Sequence, residues 1–87
     1  MVSREVKIVN SIGLHARPAT FFIQKANFFK CNVWVEKDDR KVNAKSLLGV
    51  LSLGIAKGMT INIIADGTDE DIAVESLCAL IDSGFEE

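Results

Sequence analysis

One histidine, one proline, two cysteines and no long apolar run are what this chain has to work with, and each shortage removes a class of function. Cys31 and Cys78 lie far apart, with no second cysteine or histidine at ligand spacing, so neither a CxxC redox motif nor a zinc site can be assembled. Both read as small buried apolar side chains. No cofactor is expected. The longest greasy stretch, residues 47–56, is broken by Gly49, Ser52 and Gly54 and is about half of what a membrane-spanning helix needs. Arg4, Glu5, Lys7 and Asn10 interrupt the region where a secretory signal would hold its apolar core, which points to the cytoplasm and away from membrane insertion. Gly49, Gly54 and Gly58 are not followed by Lys-Ser or Lys-Thr, and Gly67 stands alone, so the chain has no phosphate-cradling nucleotide loop.

A basic excess is missing as well. The net charge is −2, and Phe21, Phe22, Phe28, Phe29, Trp34 and Phe85 form no stacking pattern among the cations, which argues against nucleic acid as a partner. The charge is unevenly placed, however. Residues 1–46 hold nine Lys or Arg against four acids, whereas residues 47–87 hold one against eight. The half that carries the histidine would therefore steer acidic partners toward itself.

Eighty-seven residues, 48% of them hydrophobic and 25% charged, have the balance of one small folded domain spanning residues 1–87. Val2, Arg4, Val6 and Ile8 alternate with polar residues as in a half-buried strand. Asn10 to Gly13 then reads as a loop. From Ala16 the period changes, and Ala19, Phe22, Ile23, Ala26 and Phe29 follow helical spacing, with Pro18 tolerated in the first turn. Cys31 to Lys37 and Arg40 to Asn43 make a hairpin about Asp38 and Asp39. Ser46 caps a short helix that ends near Gly54, Thr60 to Ala65 forms another strand, and Thr68 or Asp69 caps a last helix through Ala73, Val74, Leu77, Cys78 and Ile81. The order β, α, β, β, α, β, α predicts an α+β open-faced sandwich: a four-stranded, mainly antiparallel sheet covered on one face by three helices. In such a layer His15 and Ser46 fall on one surface.

His15 is the residue to which the chemistry points. It stands where the first helix begins, beside unpaired N–H groups and the positive end of the helix dipole, so a phosphoryl group bonded to its ring would meet the backbone amides of Ala16 and Arg17 and the cation of Arg17. Neutral imidazole is available near pH 7 as a nucleophile, and phosphoryl transfer asks a protein for little beyond alignment and charge neutralisation. Spacing alone leaves a second reading, in which His15 is a polar cap and Arg17 a solvated charge.

Gly13 to Thr20, together with Val42 to Ile55 and Asp66 to Glu70, closely resembles the HPr family, the histidine-containing phosphocarriers of the bacterial phosphoenolpyruvate:sugar phosphotransferase system. The resemblance covers nearly the whole chain. It implies that His15 accepts a phosphoryl group on Nδ1 from enzyme I and passes it to sugar-specific enzyme IIA domains, that Arg17 is the active-site arginine, and that the protein is a monomeric carrier, not an enzyme with turnover. It also implies that Ser46 is the regulatory serine phosphorylated by HPr kinase/phosphorylase, with a transcriptional regulator as a further partner. Partner docking falls to Thr20, Gln24, Leu47, Leu48 and Leu51.

Some positions depart from the usual family pattern. Leucines stand where isoleucine or methionine is common, Ile12 is greasier than usual, and Gln24 and Asn27 are uncharged where some relatives have lysine. Two related roles stay open beside sugar transport: a nitrogen-type carrier, and a regulatory protein like the catabolite-repression paralogue, which keeps the serine but lacks the histidine.

Overall fold

The computed structural model describes residues 1–86. Strands β1 (Val2–Lys7), β2 (Asn32–Lys37), β3 (Arg40–Asn43) and β4 (Thr60–Asp66) alternate with helices α1 (Ala16–Phe28), α2 (Leu47–Ser52) and α3 (Glu70–Asp82), and a 3-10 turn follows at Gly84–Glu86. This is the expected βαββαβα order. The sheet runs β1-β4-β2-β3 with every neighbouring pair antiparallel, so the last strand in sequence lies inside the sheet and β1 and β3 form its edges.

Register decides which face is greasy. Val6 pairs with Ile61, Val33 with Ala65 and Val35 with Ile63, so one apolar row crosses three strands on the covered side. Phe22 of α1, Val50 of α2, and Leu77 and Ile81 of α3 close over it, all fully buried. A whole buried side chain of this size stabilises by roughly 1.5–3 kcal/mol. The three helices therefore form one layer because their apolar stripes share one sheet face.

Strand β4 runs one residue past the sequence reading, to Asp66, and two other strand boundaries move inward for visible reasons. Ile8 falls outside β1, yet its amide still donates to Met59 O at 2.9 Å and its carbonyl accepts from Gly58 N at 2.8 Å. Cys31 falls outside β2 because its amide donates at 2.9 Å to Asp69 Oδ1, not to a neighbouring strand. Asp69 Oδ2 accepts a second bond from Lys30 N at 2.8 Å. Asp69 is thus the N-cap residue of α3 by position, but its carboxylate makes no cap bond and is spent on the α1–β2 connection.

Those two amides and the Cys31 thiol hold the Asp69 carboxyl below the usual carboxylate range. Burial, reinforced by the carboxylate, pushes the thiol up to about 11, so Cys31 stays protonated and donates. Gly67 makes the approach possible: at φ +152° it lies so close to Cys31 that an added Cβ would meet that residue's Cβ at 2.6 Å. Cys31 and Cys78 are both buried, as expected.

A carboxylate held below its unfolded value contributes stability that is present above that value and lost as pH falls through the depressed folded one. Asp69→Asn should therefore lower unfolding stability at pH 7. The gap from the parent protein should narrow as pH drops below the ordinary aspartate range of about 3.9, as read by urea denaturation at pH 7 and pH 3.

Candidate functional site

Position 15 is set from both sides by backbone. Asn10, the one buried polar residue among the described residues, donates from Nδ2 to Gly13 O at 2.8 Å, and Gly13 N returns a bond to Asn10 O at 3.3 Å, closing the preceding loop into a tight turn. Leu14 is fully buried, and its amide donates to Ile55 O at 3.1 Å. Gly13 sits at φ +66°, where a Cβ would come within 2.4 Å of Ile55 O and 2.7 Å of Ala56 Cα. Only glycine fits between these backbones. The sequence reading took Asn10 to Gly13 as loop and had no signal that Asn10 was its anchor, because a lone asparagine in a polar segment looks solvated.

With Leu14 pinned, the next residue is turned outward. His15 is the N-cap of α1 in extended conformation (φ −128°, ψ 158°), exposed, and its side chain makes no cap hydrogen bond. The imidazole is thus not consumed as a cap. Ala16 follows at φ +50°, a left-handed conformation in which an L residue with a Cβ is strained by roughly 1–2 kcal/mol. The first turn of α1 contains no acidic side chain, and Pro18 lies in that turn as expected, with its ring buried. The amides of Ala16 and Arg17 belong to the first turn, whose N–H groups have no acceptor within the helix.

Arg17 is exposed, and its guanidinium lies 5.4 Å from the centroid of the Phe21 ring, one turn along. Thr20 donates from Oγ1 to Ala16 O at 3.3 Å, and Gln24 is exposed on the same helix. His15, Arg17, Thr20 and Gln24 therefore share the solvent-facing side of α1.

Ser46 caps α2 as its position foretold: its Oγ accepts from Gly49 N at 3.2 Å. Of the three leucines, Leu48 is 81% exposed, Leu47 42% and Leu51 half-buried, whereas Val50 and Leu53 carry the packing. Asn27 of α1 donates to Lys45 O at 3.4 Å, and Lys45 Nζ closes the end of that helix by donating to Phe29 O at 2.7 Å. From there the chain runs back along α1 to Ile55, beside the His15 loop. Ser46 thus caps the N-terminal end of α2, while the Leu14–Ile55 bond ties the residue before His15 to the chain just beyond the other end of that helix. Among the described residues no cluster of His, Cys, Asp and Glu suits a metal ion, and no helix is long and apolar enough to cross a membrane.

A family model described as the PTS HPr component phosphorylation site matches residues 2–83. The chain belongs to the HPr family. Among curated relatives it is 48% identical to the HPr-like protein Crh of Halalkalibacterium halodurans, over 94% of this chain and 98% of that one. It is 44% identical to the phosphocarrier protein HPr of Neisseria meningitidis serogroup A, over 100% of this chain and 98% of that protein. A crystal structure of HPr-C-His from Thermoanaerobacter tengcongensis superposes with a TM-score of 0.99 at 47% identity, covering 100% of this chain and 98% of that one. Family membership makes the chain an HPr-type phosphocarrier of the phosphotransferase system, moving phosphoryl groups between enzyme I and enzyme IIA domains. HPr proteins are carriers and have no catalytic turnover of their own.

Because Ala16 is held at positive φ, Ala16→Gly should raise unfolding stability by about 1 kcal/mol, since glycine adopts that conformation without the Cβ penalty. Gly13→Ala should do the reverse by more than that, because its Cβ meets backbone that cannot yield. Thermal denaturation of the two variants checks both signs.

Proposed function

We propose that His15 is the phosphoryl acceptor, using Nδ1, and that Arg17 and the amides of Ala16 and Arg17 stabilise the transferred group. The observation that carries this reading is an exposed, uncapped imidazole at the start of a 13-residue helix whose first turn has no acid of its own. A ring nitrogen forms its bond to phosphorus as the bond to the donor breaks, and the dianionic product settles against the helix dipole. Arg17 reaches the same group by leaving the Phe21 face. Phosphate arrives from enzyme I and departs to sugar-specific enzyme IIA domains, with the carrier working as a monomer in the cytoplasm. The exposed leucines of α2, with Thr20 and Gln24, form the docking patch, in keeping with an apolar surface beside a reactive group.

Ser46 takes a control phosphate from HPr kinase/phosphorylase. A helix N-terminus tolerates the added charge, so its effect falls on partners: an acidic docking surface is repelled, and a transcriptional regulator with a basic pocket is recruited. The 48% identity to a Crh protein favours this regulatory role as a second function beside transport. The retained histidine argues against it as the only one. A nitrogen-type carrier would keep the same His15 chemistry and differ in its partners.

Incubation with enzyme I, labelled phosphoenolpyruvate and magnesium should place acid-labile label on the protein, lost in His15→Ala. Absence of label on the parent protein would refute the carrier reading of this residue. ATP with HPr kinase should give acid-stable label that Ser46→Ala abolishes, and label surviving that change would move the control site elsewhere.

A further inference from the structure

Helix α2 has six residues, contributes one fully buried side chain of its own, Val50, and carries no basic residue in its last turn. A helix this short does not persist on nucleation and propensity alone, and its terminal carbonyls need partners from outside. Gly49 O, Val50 O and Leu51 O accept from Ser52 Oγ, Leu53 N and Gly54 N, while the last two, Ser52 O and Leu53 O, take their partners from the β2–β3 hairpin. Arg40 Nη1 donates to Ser52 O at 2.8 Å, and Nη2 donates to Ser52 Oγ at 3.0 Å, so one guanidinium grips both oxygens of a single residue in its fork. Lys37 Nζ donates to Leu53 O at 3.1 Å. Two cations therefore close the negative end of the helix, the arrangement its dipole favours.

The clamp is joined to the other end of α2. Ser52 Oγ donates to Gly49 O at 2.6 Å, and Gly49 N donates to Ser46 Oγ at 3.2 Å. A chain of hydrogen bonds thus runs from the Arg40 guanidinium through Ser52 and Gly49 to the Ser46 hydroxyl. Leu47, Leu48 and Leu51 project from the segment that this chain spans, and Leu48 has little protein contact to orient it.

We propose that Arg40, assisted by Lys37, is a positioning residue of the carrier: it clamps the C-terminal end of α2 and holds the leucine patch in the form that partners bind. The proposal rests on the docking role given to that patch above. Arg40 touches neither His15 nor the transferred phosphate, so it acts on recognition and leaves the chemical step alone. Lysine in its place has a point charge and no fork, and reaches one oxygen of Ser52 at a time.

The test is the initial rate of phosphoryl transfer from enzyme I, charged by phosphoenolpyruvate and magnesium, measured against carrier concentration for the parent, Arg40→Met, Arg40→Lys and Leu48→Ala. Arg40→Met should raise KM for the carrier about five- to tenfold with kcat within about twofold, and Arg40→Lys should fall between it and the parent. Amide exchange at Leu51 to Gly54 should quicken several-fold in Arg40→Met while the sheet amides keep their protection. A higher KM with unchanged exchange overturns the proposal, because Arg40 then contacts the partner directly. A lower kcat at constant KM also overturns it. If Leu48→Ala raises KM and neither Arg40 variant does, the clamp fails and the docking patch stands. If Leu48→Ala leaves KM unchanged too, the patch itself fails and takes the clamp with it. Should Arg40→Met not fold, Arg40→Lys, which keeps the charge, decides by the same two readouts.

Discussion

The contact on which this molecule turns is backbone against backbone: Gly13 and Leu14 laid on Ile55 and Ala56. The Leu14 amide and the Ile55 carbonyl share a hydrogen bond, and the missing Cβ of Gly13 is what allows the two segments to meet. From that contact the exposure of His15 follows, because a buried Leu14 leaves the next residue nowhere to go but outward. The position of α2 follows as well, since Ile55 lies just beyond it. One close approach ties the start of α1 to the end of the short helix that carries the leucine patch.

A second tie secures the far side of α1. Asp69 gathers the amides of Lys30 and Cys31 and the Cys31 thiol, and Lys45 closes the carbonyl of Phe29. Helix α1 is thus held at both ends by groups distant in sequence, while its outer face is left to solvent. That division of labour suits a carrier. The exposed residues of α1 bear little of the fold, and the residues that bear the fold are buried or bound to backbone. The charged side chains bound to backbone oxygens around α2 follow the same pattern: Arg40 and Lys37 add to the basic half of the chain and also support a surface made of leucine.

Much of this was legible from residue order. The period-two alternation of β1, the helical spacing of Phe22 and Ala26, the Ser46 cap and the hairpin about Asp38 and Asp39 are local signals, and each element appears where its pattern put it to within a residue, with Ile8, Phe29 and Cys31 falling just outside theirs. The greasy leucines beside Ser46 were also readable as partly exposed, because a helix so short cannot turn all of them inward. Asn10, Asp69 and Arg40 were not readable in their roles. An asparagine in a loop, an aspartate before a helix and an arginine after a turn each have an ordinary local explanation, and what they do here depends on partners 3 to 39 residues away.

By itself the sequence determined the order of elements, the apolar face of each, the place of the lone histidine at the start of α1 and, through two separated motifs, the family. Those properties are carried by neighbours along the chain, where spacing and side-chain type are enough. Tertiary structure alone decided that β4 lies inside the sheet, that Ala16 takes a left-handed backbone, that Arg17 rests on Phe21, and that Leu14 is bonded to Ile55 just beyond α2. Each of these is settled by how segments far apart in sequence exclude one another's volume and satisfy one another's hydrogen bonds, which no local pattern encodes.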